Sequence, residues 1–248
     1  MTSQPAAVLI IHGAYFQPPA WEFCINSIKD EKIVVECPAL PSCGTHPTAH
    51  PTGTLVDDVY AVQAAAQNLL DAGHKITVLA HTRMAGSGAG VTSLVLLGAF
   101  LIQPGDSIPG LFTKYGYQSE IRLGYNIDET AAIENATSAF VKNPICSLYN
   151  DIAPFAAERL ASQNVKQNHA AARGIVTGAP WKDLETVYVY ILQDRAITTG
   201  LQERMVEDAV SAGGRIKTRM IHGGHCFFLA YPSEVVCNLR NIAERFSE

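Results

Sequence analysis

Apolar positions along this chain follow two patterns. Short, largely apolar runs at 7–11, 32–36, 75–80, 93–100 and 186–192 have the length and β-branched content of strands buried on both faces, and 215–221 reads as a further strand. Between several of them the spacing becomes helical. Over 20–29 it sets Trp21, Cys24, Ile25 and Ile28 on one side, and over 55–72 it does the same for Val56, Val59, Tyr60, Val62, Ala66, Leu69 and Leu70. Gly73 follows at once, a residue suited to ending a helix, and a further helix is predicted over 199–212. Apolar strands separated by helices predict an α/β fold, a mostly parallel sheet with helices on both faces. The stretch 41–53, crowded with Pro, Gly, Thr and His, reads as an exposed loop.

One region departs from the alternation. Residues 118–181 are largely helical in composition, poor in strand-like runs and punctuated by Pro144, Pro154 and Pro180. They predict a helical cap inserted into a single α/β core made of 1–117 and 182–248.

Composition narrows the class of partner. The 248 residues are 48% hydrophobic, enough for a large core. With 18 Lys+Arg against 23 Asp+Glu the net charge is -5, which leaves no electrostatic footprint for nucleic acid or an anionic membrane. The longest apolar run, 94–102, is well short of the roughly 20 residues that span a bilayer. Residues 1–5 lack the basic and apolar parts of a signal peptide, and six cysteines without a C-x-x-C pair read as reduced thiols; both point to the cytoplasm. A hydrophobic small molecule is the expected partner, with Phe140, Tyr149, Phe155 and Trp181 of the insertion either contacting it or packing the insertion onto the core. The sequence leaves the oligomeric state open.

Three loop sites follow predicted strands at the edge where open α/β sheets bind ligands. They are His12-Gly13-Ala14-Tyr15, Ala80-His81-Thr82-Arg83, and the pair Asp194-Arg195 with Gly223-Gly224-His225-Cys226. The run from Val8 through Tyr15 followed by Trp21, the loop from Leu40 to Gly44, the Asp194 turn and His225 beyond the last strand resemble the α/β-hydrolase superfamily. Within it the chain is similar to the small capped branch of plant-type esterases, hydroxynitrile lyases and fungal biosynthetic hydrolases. The resemblance covers essentially the whole chain and implies the order nucleophile, acid, histidine. Asp194 takes the place of the acid that orients the histidine, and His225 that of the base. Backbone amides at Gly13, Ala14 and Tyr15, with one after the nucleophile at Arg83, take the place of an oxyanion hole.

The nucleophile position departs from the family pattern. Where small-x-Ser-x-Gly is usual, this chain has Ala80-His81-Thr82-Arg83-Met84. Threonine keeps a hydroxyl, but its branched Cβ crowds a tight turn. Five residues on, Ser87 in Ala85-Gly86-Ser87-Gly88-Ala89 meets the small-x-Ser-x-small pattern but does not directly follow a strand, and such runs also serve as plain connections. Between Thr82 and the strand at Ser93 lie only residues 83–92, fewer than the dozen or more that a parallel crossover takes. Neither Cys43-His46-His50 nor His222-His225 supplies a full set of metal ligands, so no metal and no cofactor is expected.

The resemblance implies hydrolysis of an ester, lactone or thioester of a hydrophobic molecule, with secondary metabolism as the setting. It equally allows a lyase, decarboxylase, isomerase or cyclase that uses His225 alone as acid and base. A non-catalytic ligand-binding protein is the third reading, since fold does not fix function.

Overall fold

The computed structural model describes residues 6–81, 90–116, 125–133 and 136–245. Its strands are β1 (Ala6–Ile11), β2 (Val34–Glu36), β3 (Lys75–His81), β4 (Val91–Leu97), β5 (Tyr125–Ile133), β6 (Ala136–Val141), β7 (Gln167–Asn168), β8 (Glu185–Ile191) and β9 (Ile216–Ile221). Its helices are α1 (Glu22–Asp30), α2 (Leu55–Asp71), α3 (Ile108–Lys114), α4 (Pro144–Ser147), α5 (Pro154–Ala161), α6 (His169–Ala172), α7 (Pro180–Asp183), α8 (Thr199–Ser211), α9 (Phe227–Ala230) and α10 (Pro232–Arg245).

Six strands form one sheet in the order β2-β1-β3-β4-β8-β9, parallel throughout. Because successive side chains leave a strand on opposite faces, each inner strand feeds two cores. Ala7, Leu9 and Ile11 of β1, Leu94 and Leu96 of β4 and Tyr188 and Tyr190 of β8 join α2, α3 and α8 on one face. Val8, Ile10, Val95, Leu97, Val187, Val189 and Ile191 join α1, α9 and α10 on the other. This explains why these strands read as unbroken apolar runs, and the fold is the α/β arrangement the pattern predicts.

Helix α2 shows how sequence sets a boundary. Thr54 caps it through a box in which the Asp57 amide donates to the Thr54 hydroxyl and the Asp57 carboxylate accepts from the Thr54 amide at 2.7 Å. Its far end passes through Ala72 into Gly73 at φ 80°.

Strands β3 and β4 are parallel neighbours joined by residues 82–90, of which 82–89 lie outside the described residues. The chain enters β4 through Gly90, at φ 94° against Leu70 of α2, and a register shift at Ile76/Thr77. The Thr92 hydroxyl donates to the Ile76 carbonyl at 3.2 Å there.

The insertion corrects the expectation of a strand-poor cap. It carries short helices but also a three-stranded sheet, β5-β6-β7, antiparallel at both pairings. Glu129, Ala131 and Ala132 favour helix, yet they lie in a strand paired with β6, whose Thr137, Phe140 and Val141 favour strand. The third strand is supplied from Gln167, far along the chain, so local composition gives no sign of it. The pairing runs on to the 40–44 loop: Gly44 N–H donates to Lys166 O at 2.7 Å and Asn168 N–H to Ser42 O at 2.8 Å. Ser42 is held in turn by buried Asp58 of α2, whose carboxylate accepts from its amide at 2.8 Å and its hydroxyl at 2.6 Å.

Trp21, fully buried before α1, stacks on Phe228 with ring centroids 3.8 Å apart and planes 4° from parallel. Replacing it by alanine should destabilise the protein by about 3–5 kcal/mol in urea unfolding. Phe23→Ala, on α1 at 65% exposure, should shift stability by no more than about 0.5 kcal/mol. Equal effects would contradict this account of the core.

Candidate active site

The parallel neighbours β8 and β9 deliver their following turns to the same sheet edge. After β8 the chain turns at Asp194, whose Oδ1 accepts from the amides of Ala196 at 2.7 Å and Ile197 at 2.8 Å. That local ring, a common asparagine and aspartate turn, fixes the carboxyl group and leaves Oδ2 facing the turn after β9. There His225 Nδ1–H donates to Asp194 Oδ2 at 2.8 Å, with the histidine 2% and the aspartate 5% exposed. Gly98, at the end of β4, sits at φ 51°, and a Cβ on it would lie 3.3 Å from Asp194 Oδ2 and 2.6 Å from Ile191. A side chain at 98 would therefore press on the pair. With Nδ1 committed as donor, Nε2 is the ring atom left to take a proton.

The loop after β1 is pinned at several points. The Leu40 amide donates to His12 Nε2 at 3.2 Å, so the proton of this neutral ring sits on Nδ1, which donates to Gly13 O at 2.9 Å. Gly13, Ala14 and Tyr15 are all buried. Tyr15 holds φ 71°, a left-handed conformation that costs a bulky residue on the order of 1–3 kcal/mol. Its carbonyl accepts from the Val165 amide at 3.0 Å and Asn164 Nδ2 at 3.1 Å, so the insertion enforces the conformation. Gln17 ties the same loop to Gly44 O at 2.7 Å.

The last residue of β3 completes the described part. His81 is fully buried, its Nε2–H donates to His225 O at 3.0 Å, and its ring centroid is 4.5 Å from that of His225. Phe16, Trp21 and Phe228 present edges to it at 5.0–6.1 Å. Burial first, and then the neighbouring His225, hold its pKa well below the usual histidine value, against the backbone hydrogen bond. Thr82, Arg83 and Ser87 lie outside the described residues.

The geometry also involves residues that sequence reasoning did not single out. Gln202 of α8 is fully buried: its Oε1 accepts from the Ile191 amide at 3.0 Å, and its Nε2 donates to Ile197 O at 2.6 Å and lies 3.5 Å from Asp194 Oδ2. A glutamine within the apolar stripe Leu201, Met205, Val206 and Ala209 is the signal that could have found it. Asn150 Nδ2 donates to Gln193 O at 3.0 Å, and Asp151 Oδ2 accepts from the Gly224 amide at 2.7 Å; nothing in the local sequence marks that pair.

A cleft of about 250 Å3 is lined mainly by apolar groups, among them Val59, Phe100, Ile102, Ile108, Val176 and Pro180. Its lining includes none of Gly13, Ala14, Tyr15, His81, Asp194 and His225. Of the aromatic residues read as possible ligand contacts, Trp181 and Tyr149 are buried as packing, and Phe155 is 84% exposed. Among the described residues no cluster of three or more His, Cys, Asp or Glu could hold a metal ion, and no helix is long and apolar enough to cross a membrane.

The family model for alpha/beta hydrolases matches residues 8–239. The chain belongs to the alpha/beta hydrolase family. The alpha/beta hydrolase nvfD of Aspergillus novofumigatus (strain IBT 16806) is 23% identical over 257 residues, covering 96% of each chain. Polyneuridine aldehyde esterase superposes with a TM-score of 0.76 at 16% identity, over 97% of this chain and 100% of that one. Tomato methylketone synthase I, solved with 2-tridecanone, gives 0.73 at 14% over 97% and 98%. The pyrethroid hydrolase PytH gives 0.77 at 15% over 98% and 99%. At these identities the three structures establish the alpha/beta hydrolase fold.

A neutral buried His81 has a consequence for stability. Its folded pKa is depressed, so below about pH 6.5 the unfolded chain binds a proton that the folded chain refuses, and stability falls with pH. His81→Gln keeps a donor for His225 O and removes the titration. Its melting temperature should decline less between neutral and mildly acid pH than that of the unaltered protein; identical slopes would rule His81 out as a source of the acid sensitivity.

Proposed function

We propose that this alpha/beta hydrolase is an enzyme acting on a hydrophobic small molecule, with His225 as its acid and base and residues 118–181 as a cap over the core. The observation that carries the reading is the buried His225–Asp194 hydrogen bond at 2.8 Å, on the edge where the oxyanion loop and the end of β3 converge. In the hydrolytic form of the proposal, the Thr82 hydroxyl, or in its place that of Ser87, attacks an ester, lactone or thioester carbonyl. His225 Nε2 takes the hydroxyl proton, and Asp194 stabilises the resulting imidazolium. Amides at Gly13, Ala14 and Tyr15, with that of Arg83, receive the developing oxyanion. The proton passes to the leaving group, and water activated by His225 then releases the acyl group. His81 supports the placement of Thr82, since it contacts His225 O one peptide before it. The strained Tyr15 and its pinned carbonyl support a functional loop there. That the similar tomato methylketone synthase I was solved with 2-tridecanone supports a hydrophobic substrate, and we place the reaction in secondary metabolism.

The short link favours a second reading. Nine residues, 82–90, join two parallel strands in which a crossover of a dozen or more is usual, and the hydroxyl candidate on that link is a threonine. A lyase, decarboxylase, isomerase or cyclase needs proton transfer at His225 and no acyl-enzyme.

A fluorophosphonate probe followed by peptide mapping separates the two. Labelling at Thr82 or Ser87, together with turnover of p-nitrophenyl esters from acetate to laurate, is the hydrolytic outcome. Absence of both sinks that form. In either form Asp194→Asn should lower kcat by up to about 10⁴-fold, because the ring loses its enforced tautomer. An Asp194→Asn or His225→Ala variant at full activity would refute the proposal as a whole.

A further inference from the structure

Two turns must keep a fixed separation if Asp194 is to meet His225, and one short segment of the insertion touches both. Between α4 and α5, Asn150 donates through Nδ2 to Gln193 O, next to Asp194, at 3.0 Å. Asp151 accepts through Oδ2 from the Gly224 amide, next to His225, at 2.7 Å. Directly before them, the Leu148 carbonyl accepts from the Cys226 amide at 3.2 Å, on the other side of His225. The turns also meet directly, Gln193 N–H donating to Gly223 O at 3.0 Å. His225 is thus held by backbone bonds at the residues before and after it, and both lead to 148–151.

The glycines of His222-Gly223-Gly224-His225 follow from this contact. A Cβ on Gly224 would lie 2.5 Å from Asn150 Oδ1 and 2.6 Å from Asp151 Oδ1, and one on Gly223 would lie 2.8 Å from Phe227 Cβ and 3.3 Å from Asp151 Oδ2. Neither glycine is recorded with a positive φ, so space rather than backbone freedom requires them. The approach is costly: Asn150 Oδ1 and Asp151 Oδ1 are buried without a partner among the described residues. A merely stabilising contact would leave fewer acceptors unsatisfied. The Cys226 thiol registers the carboxylate too, being held well above its usual pKa by burial and then by Asp194 and Asp151.

We propose that Asn150 and Asp151 are positioning residues for the His225–Asp194 pair, setting the distance between its two turns through Gln193 O and the Gly224 amide. The inference rests on the reading of His225 as acid and base. It makes the insertion part of the machinery that orients the base, in addition to covering the site.

The test is NMR of protein labelled with ¹⁵N in its histidine rings, with the His225 signals assigned by their loss in His225→Ala. At a pH where the ring is neutral, the unaltered protein should show a fixed Nδ1–H tautomer. Asp151→Asn keeps an acceptor for Gly224 and should preserve it. Asp151→Ala and Asn150→Ala should each move the two ring nitrogens toward averaged shifts, with kcat on a substrate that is turned over falling by up to about 100-fold and KM little changed. Circular dichroism on each variant checks that it is folded, and Asn150→Ala severs the Gln193 side alone should Asp151→Ala not fold. A fixed tautomer retained in both alanine variants overturns the positioning role and leaves the acid-base reading standing. No tautomer preference in the unaltered protein overturns both.

Discussion

A carboxylate taken out of water must be met by donors or it neutralises, and Asp194, at 5% exposure, is the group that puts this constraint on the molecule. Two amides of its own turn meet Oδ1, and His225 meets Oδ2. The turn can close this way because Gln202 occupies the Ile191 and Ile197 backbone from below, and because residue 98 has no side chain to fill the space beside Oδ2. His225 is then the only side chain at hydrogen-bond distance on that oxygen among the contacts described, apart from the long approach of Gln202. The orientation of the His225 ring is thus a consequence of how a buried carboxylate is satisfied.

Much of what brings these turns together is set by the sheet. Parallel pairing of β8 with β9 and of β1 with β3 places four strand ends on one edge, and the period-two split of each inner strand between two cores fixes which way each end faces. A one-residue slip in β1 would exchange its two apolar sets between cores of different shape. The aromatic box around His81 depends on the same register, since Trp21 and Phe228 reach it from one face. Dehydration of that box keeps a second imidazole uncharged beside His225, so in the proposed mechanism a proton on His225 meets no like charge there.

The legibility of the sequence follows the range of the interactions concerned. Core strands and α2 could be read to within three residues because their apolar spacing and caps are local; 55–72 was expected, and Leu55–Asp71 with Ala72 and Gly73 beyond is found. The family resemblance leads one to expect Asp194 beside His225, and a 2.8 Å hydrogen bond joins them. The strands of the insertion were not readable, because β6 is completed by Gln167 and joined to the 40–44 loop, pairings that no window of sequence contains. Asn150 and Asp151 were invisible for the same reason: their partners are Gln193 and Gly224. The paired glycines before His225 were visible within His222-Gly223-Gly224-His225, a spacing that falls short of a metal-ligand set; their cause is a neighbour from another part of the chain.

The arrangement separates two requirements that a hydrolase combines. In the proposed mechanism proton transfer needs a base of fixed tautomer in a dry setting, and the described contacts to His225 come from the turns after β8 and β9, the end of β3 and residues 148–151. Its hydrolytic form needs in addition a hydroxyl from the link between β3 and β4. Among the described contacts, the one from that side of the site is His81, the last residue of β3. In the proposed mechanism a short crossover carrying threonine in place of serine therefore bears on the nucleophile, while the histidine–aspartate pair is set by the turns after β8 and β9.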